Sequence, residues 1–311
     1  MSMTHPRTGR PRERVLTMRG IGKRFGAVKA LTDVDFWVNE GEVVALVGDN
    51  GAGKSTLVKV LAGVHPPDSG SIEFDGEEVG IGSPADAQQL GIETIFQDLA
   101  LCDNLDVVAN LWLGRELRDG ATLDEVDMEQ RTWTLLRELS AKIPSVRVPV
   151  ASLSGGQRQT VAIARSLIGE PRVVILDEPT AALGVAQTAE VLNLIERLRE
   201  RGHGVILISH NMADVMAVAD RVVVLRLGRN NGVYNVADVT SETLIAAITG
   251  AVDHSAAPRR APERAPERTD AASAPPREEE PSLEESTGGT VIRMPRAGSR
   301  RTPRPRGDGS R

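Results

Sequence analysis

The chain has 311 residues, of which 40% are hydrophobic and 26% are charged, and its formal net charge is −6 at pH 7. These values suit a globular protein of one large domain or two smaller ones. No apolar run approaches the roughly 18 residues that a membrane span needs, and no secretory signal is recognisable, so we expect a cytoplasmic protein. The single cysteine, Cys102, cannot form an internal disulfide, which fits a reducing compartment.

The two ends of the chain differ from its middle. Residues 1–13 are polar and unpatterned, which predicts a flexible N-terminal arm. Residues 254–311 hold nine of the 18 prolines and offer too little apolar surface to offset the entropy of ordering, which predicts a disordered tail. The tail has 12 arginines against nine acidic residues, whereas the rest of the chain has 25 basic and 34 acidic residues.

The acidic balance of the middle region argues against a general nucleic-acid surface there, and we expect no specific nucleic acid among the partners. The arginine-rich end of the tail could contact anionic lipid or RNA. A solubilising tail without a partner is the simpler interpretation.

The chain opens with two stretches, 15–18 and 28–38, whose alternating apolar residues predict half-buried strands. Phe25 is expected on the turn between them. An aromatic side chain there could stack on a purine, although a residue of this kind more often anchors a small core.

A phosphate-binding loop follows the apolar run 43–47, because residues 48–55 fit the pattern G-x-x-x-x-G-K-[ST]. Its glycines let successive N–H groups and the start of a helix point at one anion. Lys54 would reach the β- and γ-phosphates, and the Ser55 hydroxyl would bind Mg²⁺. The alternative is a glycine-rich turn with a surface lysine. The predicted nucleotide-binding residues of this loop are Gly48, Asp49, Asn50, Gly51, Ala52, Gly53, Lys54, Ser55 and Thr56.

The middle of the chain contains two short strands and a helix-rich insert. The strands are expected at 70–76 and at 92–96, and the second ends at Gln97. Apolar residues at helical spacing predict helices in the insert, which continues to about residue 168. The motif Leu-Ser-Gly-Gly-Gln at 153–157 opens its last helix. Ser154 suits an N-cap, so the motif is either a simple helix start or an exposed helix N-terminus that binds phosphate.

Polar residues end the next two strands. The apolar strand at 172–176 ends in the adjacent acids Asp177 and Glu178, which packing explains poorly because they repel each other. Near a phosphate loop, Asp177 would hold Mg²⁺ and Glu178 would polarise the attacking water. A solvated strand end is the alternative. The strand at 204–208 ends at Ser209 and His210, and His210 is expected at the same sheet edge, where ligands of doubly wound sheets bind. A histidine in this position is often only a hydrogen-bonded loop residue.

In this order and spacing, the motifs resemble those of the ATPase subunit of an ATP-binding cassette (ABC) transporter, over roughly residues 14–250. The resemblance implies an α/β P-loop NTPase fold of ABC type, with a RecA-like core, an antiparallel β subdomain and a helical subdomain. It places the ATPase domain at 14–253 and the helical insert at about 98–168. The implied cofactors are ATP and Mg²⁺.

The resemblance also implies roles for individual residues. Phe25 would stack on adenine, and His210 would contact the γ-phosphate and hold the attacking water. Gln97 would sense the metal and the water and relay their state to the membrane partner. The catalytic set is thus Glu178, His210 and Gln97, and the metal-binding set is Ser55, Gln97 and Asp177. The signature residues, which would cap the γ-phosphate bound by a second copy, are Ser154, Gly155, Gly156 and Gln157.

In such proteins, two cassettes would together form two ATP sites. This chain has one phosphate loop and one signature and so supplies one of the two cassettes, and a head-to-tail homodimer around two ATP is the simplest way to complete both sites. The further partners implied are transmembrane permease subunits and, indirectly, an extracytoplasmic substrate-binding protein. The chain would be peripheral on the cytoplasmic side of the membrane.

A finer resemblance, at residues 48–54, 97–101 and 179–185, is to the ribose- and xylose-type sugar importers. Many of those carry two cassettes, and this chain resembles the single-cassette members. Gly184 stands where most cassettes have an aspartate, which puts communication between the two sites in question. The alternatives are a cassette for amino acids, lipids or export, and a soluble ABC ATPase. A non-hydrolytic regulator would be expected to lack Glu178 or His210.

Overall fold

The structure, a computed structural model, describes residues 13–251, which belong to one compact unit. The predicted tail and all but the last residue of the predicted arm lie outside the described residues. The described strands are β1 (Arg14–Phe25), β2 (Val28–Asn39), β3 (Val43–Val47), β4 (Ser69–Phe74), β5 (Glu77–Glu78), β6 (Ile92–Ile95), β7 (Arg118–Asp119), β8 (Thr122–Leu123), β9 (Val173–Asp177), β10 (Gly204–Ile208), β11 (Arg221–Arg226) and β12 (Arg229–Asn235). The described α-helices are α1 (Lys54–Leu61), α2 (Pro84–Gln89), α3 (Val107–Trp112), α4 (Glu125–Glu138), α5 (Gly155–Leu167), α6 (Val185–Glu200), α7 (Met212–Val218) and α8 (Ser241–Thr249).

The larger sheet has six strands in the order β12-β11-β3-β10-β9-β6. The edge strand β12 is antiparallel to β11, and the other neighbours are parallel. Strands β3 and β10 are buried along their whole length. Their continuous apolar sequences follow from this burial, because both faces of a parallel sheet are covered.

The two faces of this sheet pack against different layers. Val43, Ala45 and Val47 point into a core shared with the helices α3 to α8. Val44 and Leu46 point into a second core, formed with α1 and the smaller sheet. Burial of each such valine or leucine contributes about 1.5–3 kcal/mol, so the alternation along β3 fixes the sheet between the two layers.

The smaller sheet is antiparallel, with the order β2-β1-β4-β5. The predicted strand at 28–38 is confirmed by β2, whose buried residues alternate with partly exposed ones from Val34 onward. Strand β1 extends well beyond the predicted 15–18, with irregular pairing after Met18. Phe25 was expected on the turn, but it is the last residue of β1 and pairs with Val28.

A buried ion pair joins the two sheets. The Arg221 guanidinium of β11 donates to both carboxylate oxygens of Glu42, at 2.8 and 3.2 Å, and to the carbonyl of Trp37, at 2.8 Å. Its Cζ also lies 4.2 Å from the centre of a Trp37 ring. Because removal of one member would leave a buried charge without its counter-charge, this contact specifies how β11 meets the end of β2.

The insert between β6 and β9 contains α3, α4, α5 and a small hairpin of β7 and β8. The helices were expected from the sequence, whereas the hairpin was not. The buried Trp112 indole donates to the Met128 carbonyl at 3.1 Å and to the Thr132 hydroxyl at 3.0 Å, so it packs α3 against α4. Within residues 13–251, no helix has both the length and the apolar character needed to cross a bilayer.

Candidate active site

The phosphate loop joins β3 to α1 through glycines that no other residue could replace without strain. Gly48 has φ 153°, and a Cβ on it would lie 2.3 Å from the Leu225 carbonyl oxygen. Gly53 has φ 105°, and its Cβ would lie 2.9 Å from the Ala30 carbonyl oxygen. The loop therefore sits tightly between β11 and β2, and only glycine fits at these two positions.

Lys54 folds back over this loop. Its ammonium donates to the carbonyls of Gly48, at 2.7 Å, and Asp49, at 3.1 Å. Helix α1 begins at Lys54, and its N-cap Gly53 offers no side chain to the first N–H groups of the helix. The start of α1 thus presents unsatisfied donors and a cation to the same space, which suits an anion.

A cleft of about 480 Å³ opens beside the loop. The described residues that line it are Gly48, Asp49, Asn50, Lys54, Glu178, Ser209, His210, Met212 and Ile248. Strand β10 lies between β3 and β9 and pairs with both in parallel. The carboxyl ends of these three strands therefore meet at one edge, which brings Gly48, Glu178 and His210 together as the sequence predicted.

The chain turns sharply at the end of β9, where Asp177 is followed by Glu178. Glu178 has φ 50°, a left-handed conformation that is unusual for a non-glycine residue, and its N–H donates to the Ile208 carbonyl at 2.9 Å. Its Oε1 lies 3.3 Å from Nδ1 of His210. The His210 side chain is 71% exposed, so this carboxylate, rather than packing, sets the position of the ring.

The charges of the cleft act on one another. Burial raises the pKa of Asp177, and the neighbouring Glu178 carboxylate raises it further, whereas Lys54 and Lys59 lower it. Burial lowers the pKa of Lys54, and the carboxylates of Glu178, Asp49 and Asp177 oppose that effect. One cation and several carboxylates thus share a partly desolvated space.

Gln97 lies two residues beyond the neighbouring strand, β6. Strands β6 and β9 pair in parallel, with Ile95 opposite Leu176, so the chain beyond β6 passes next to Asp177. The Gln97 side chain is exposed. Sequence reasoning missed Arg165 of α5, whose guanidinium donates to the carbonyls of Leu99 and Ala100 and so fastens the segment after Gln97 to α5.

The signature segment begins α5 and is not among the described residues that line the cleft. Ser154 Oγ accepts the Gln157 N–H at 3.3 Å, and Gln157 Oε1 accepts the Ser154 N–H at 3.0 Å. The N-cap interpretation of Ser154 is confirmed, and the phosphate interpretation stays a prediction. Cβ atoms on Gly155 and Gly156 would lie 3.0 Å from side-chain atoms of Leu183 and Gln187, so these glycines also permit close packing against the start of α6.

Two apolar residues of the cleft were missed. Met212 of α7 and Ile248 of α8 line it beside the polar residues. Both belong to helices whose apolar residues also pack in the core, so their sequence pattern is that of ordinary buried helices.

The comparison with protein families agrees with this geometry. The family described as ABC transporter matches residues 31–181. The xylose/arabinose import ATP-binding protein XylG of Sulfolobus acidocaldarius is 47% identical over 215 residues, which cover 69% of this chain and 86% of the relative. The fructose import ATP-binding protein FrcA of Rhizobium meliloti is 45% identical over 77% of this chain and 95% of the relative. The chain spans about half of some other relatives: the ribose import ATP-binding protein RbsA 1 of Rubrobacter xylanophilus is 43% identical over 79% of this chain and 49% of its own length.

Solved structures give the same fold. The ADP conformation of MJ1267, an ATP-binding cassette of an ABC transporter, superposes with a TM-score of 0.65 at 26% identity, over 76% of this chain and 95% of that one. CbiO1 from Clostridium perfringens, part of the ABC transporter complex cbiONQ, gives a TM-score of 0.65 at 29% identity, over 75% and 93% of the two chains. The chain belongs to the ABC transporter family. Within that family it is an ATP-binding ATPase cassette with a RecA-like core, an antiparallel β subdomain and a helical subdomain.

Proposed function

We propose that this chain is the ATP-hydrolysing subunit of an importer for a simple sugar, a pentose or a hexose. The observation that carries the ATPase part is the placement of Glu178 and His210, 3.3 Å apart, in the cleft that also holds the phosphate loop. The sugar part is supported by relatives named for xylose/arabinose, fructose and ribose import. A cassette for amino acids, lipids or export is the second candidate.

The triphosphate of ATP would lie along the loop, held by Lys54 and by the N–H groups from Gly48 to Thr56. Lys54 already lies against the loop carbonyls, and a phosphate would replace those acceptors with a stronger, charged one. Burial lowers the pKa of Lys54, and the negative charge of a bound phosphate would oppose that effect, as the carboxylates of Glu178, Asp49 and Asp177 do.

Residues near the loop also fit a magnesium ion. Ser55 and Asp177 offer the oxygen ligands that Mg²⁺ prefers, and Gln97 follows β6, the strand that pairs with the strand of Asp177. Within residues 13–251, no group of three or more histidine, cysteine or acidic side chains forms a complete metal site. The ion would therefore need nucleotide oxygens and water as further ligands, and when bound it would neutralise charge on the β- and γ-phosphates.

Glu178 is the residue that would orient and polarise the attacking water. Its backbone is held by the Ile208 carbonyl, and its carboxylate faces the cleft beside His210. His210 would contact the γ-phosphate and limit the positions available to that water. Geometry of this kind acts through positioning and charge, which dominate phosphoryl transfer.

A second copy would complete the site. The signature residues 154–157 do not line the cleft of their own chain, so they are available to the γ-phosphate of a partner in a head-to-tail homodimer. ATP would favour the closed dimer by its contacts with both copies, and hydrolysis would reopen it. The insert at about 98–168, in which Arg165 fastens α5 to the segment just after Gln97, would transmit this motion to permease subunits. The cassette, at 14–253, would bind to those subunits at the cytoplasmic side of the membrane.

Replacement of Glu178 by glutamine tests the ATPase assignment. Glu178→Gln keeps the size of the side chain but removes the base, so ATP should still bind while turnover falls by roughly 10²–10⁴. Phosphate release by the purified chain measures turnover, and nucleotide binding is measured in parallel. Glu200→Gln, at the exposed end of α6, is the matched control and should keep the parental rate. A parental rate in Glu178→Gln would contradict the role of Glu178.

Uptake of labelled pentoses and hexoses tests the substrate. The native host is compared with a strain that carries Glu178→Gln at an equal expression level. Loss of uptake of one sugar would support the importer and identify its substrate. If every sugar enters normally while the parental protein hydrolyses ATP, the sugar assignment is wrong, and amino acids, lipids and exported compounds should then be tested.

A further inference from the structure

The exposed ring of Phe25 has an aromatic neighbour from a distant part of the chain. Its side chain is 43% exposed, although it ends a strand. The ring centre of Phe25 lies 5.1 Å from that of His65, and the two ring planes meet at 71°. This is the edge-to-face arrangement that aromatic pairs prefer.

His65 is held by the helix that begins at the phosphate loop. Helix α1 ends at Leu61, and the N–H of His65 donates to the carbonyl of Lys59 at 3.2 Å. Gly63 turns the chain with φ 70°, and a Cβ there would lie 2.1 Å from the Ser83 carbonyl oxygen. The backbone of His65 is thus fixed relative to α1, whose eight residues span about 12 Å from Lys54.

The next three residues hold the end of β1. Lys23 donates to the Pro66 carbonyl at 2.6 Å and to Asp68 Oδ1 at 2.8 Å, and the Arg24 N–H donates to Asp68 Oδ2 at 2.7 Å. The hydrogen bonds from Lys23 and from the Arg24 N–H lower the pKa of Asp68. The pinned Lys23 ammonium lies 5.7 Å from the centre of the Phe25 ring. Pro66 and Asp68 therefore fix the backbone that leads into Phe25, and His65 contacts its ring.

We propose that residues 65–68 form a platform that holds the Phe25 ring ready to stack on a purine base, with His65 as a positioning residue for nucleotide binding. The inference rests on the proposed ATP binding and on the contact with adenine that the family resemblance implies for Phe25. A free aromatic side chain loses rotamer freedom when a ligand stacks on it, and a ring that is already packed avoids part of that cost. Through α1, the platform ties the base-binding end of the site to the phosphate-binding end.

Nucleotide affinities of His65 variants test this proposal. His65→Ala should raise the dissociation constant for ATP about two- to tenfold, the range of a lost aromatic pair, and should raise KM while kcat at saturating ATP stays the same. Binding of inorganic tripolyphosphate, which has no base, should not change. His65→Phe should restore ATP affinity, because the edge-to-face contact needs only an aromatic ring. Val64→Ala, at the exposed neighbouring position, is the control and should bind ATP as the parent does.

Phe25→Ala separates failure of this inference from failure of the proposed adenine contact. If Phe25→Ala weakens ATP binding and His65→Ala does not, the platform is wrong and the adenine contact stands. If Phe25→Ala itself binds ATP normally, both are wrong. Equal losses of ATP and tripolyphosphate binding in His65→Ala would show general damage to α1 and would also overturn the inference, as would failure of His65→Phe to restore affinity.

Discussion

The starts of helices α1 and α5 are both proposed to face phosphate, yet they are built in opposite ways. The N-cap of α1 is Gly53, in a left-handed conformation and with no side chain to accept the first N–H groups. The N-cap of α5 is Ser154, which forms a reciprocal pair of hydrogen bonds with Gln157. One helix end is open, and the other is already closed by its own side chains.

The difference indicates how each end meets its ligand. An open helix end relies on water or a ligand to satisfy its donors, so α1 would be stabilised by the nucleotide that its own chain is proposed to bind. The capping box of α5 satisfies the N–H groups of Ser154 and Gln157 internally. Such an end keeps its shape without a ligand, which suits a segment whose phosphate would arrive on another molecule.

Among the changes at these helix starts, loss of the Lys54 ammonium should have the largest effect, and the quantity affected is the affinity for ATP. Lys54→Ala removes a charged hydrogen bond to phosphate from the open helix end, so ATP should bind about 10- to 100-fold more weakly. A fluorescent ATP analogue measures the affinity. Lys59→Ala, an exposed lysine later on the same helix, should change it by far less. Normal ATP affinity in Lys54→Ala would show that the open end of α1 is not the phosphate site.

Removal of the Ser154 hydroxyl should affect folding rather than binding. Ser154→Ala deletes the side-chain acceptor of the closed helix end, and the free energy of unfolding should fall by about 0.5–2 kcal/mol. Binding of ATP to the isolated chain should stay as it is, because Ser154 does not line the cleft. Urea unfolding measures the loss, and Ser154→Thr, which keeps the hydroxyl, should recover most of it. Unchanged stability in Ser154→Ala would mean that the capping box contributes nothing.

A third helix start, that of α6, lies between the two cases. Its N-cap is Gly184, whose N–H donates to Gln187 Oε1 at 3.3 Å, and a Cβ on it would meet no atom within 4 Å. Gly184→Asp should add a capping carboxylate and raise the free energy of unfolding by about a few tenths of a kcal/mol. Gly184→Ala, which has no acceptor, should give no such gain in the same urea titrations. A loss of stability in Gly184→Asp would contradict the open surroundings of this position.

The parts of the fold that could be predicted from sequence are those where one local pattern suffices. Strand β3 and the loop after it combine an unbroken apolar run with glycines in a fixed spacing, so both the strand and the glycine-rich turn into α1 were identifiable. Strand β10 is likewise an apolar run that ends in polar residues, and the parallel pairing that brings Glu178 and His210 together follows from the strand order.

Other parts depend on contacts that the local sequence does not record. Strand β12 reads Arg-Asn-Asn-Gly-Val-Tyr-Asn, with no apolar run, and it is a strand because β11 offers it an edge. The hairpin of β7 and β8 is exposed, with two residues in each strand, so no hydrophobic alternation marks it. His65 carries no motif, and its contact with Phe25 arises only when α1 returns to the end of β1.

Because Ile248 lines the cleft beside the phosphate loop, the chain must continue at least to α8 to build the whole cleft. All the phosphate-directed motifs are finished by His210, and the family match ends at residue 181. Yet α8, some forty residues later, contributes a wall of the cleft, and the buried Asn231 side chain ties this helix to the sheet through the Ala247 carbonyl at 2.6 Å. A cassette that is truncated after His210 would keep every proposed catalytic residue but would lose the wall of the cleft that α8 forms. A chimera that takes the rest of its chain from a relative would likewise lose this chain's own wall.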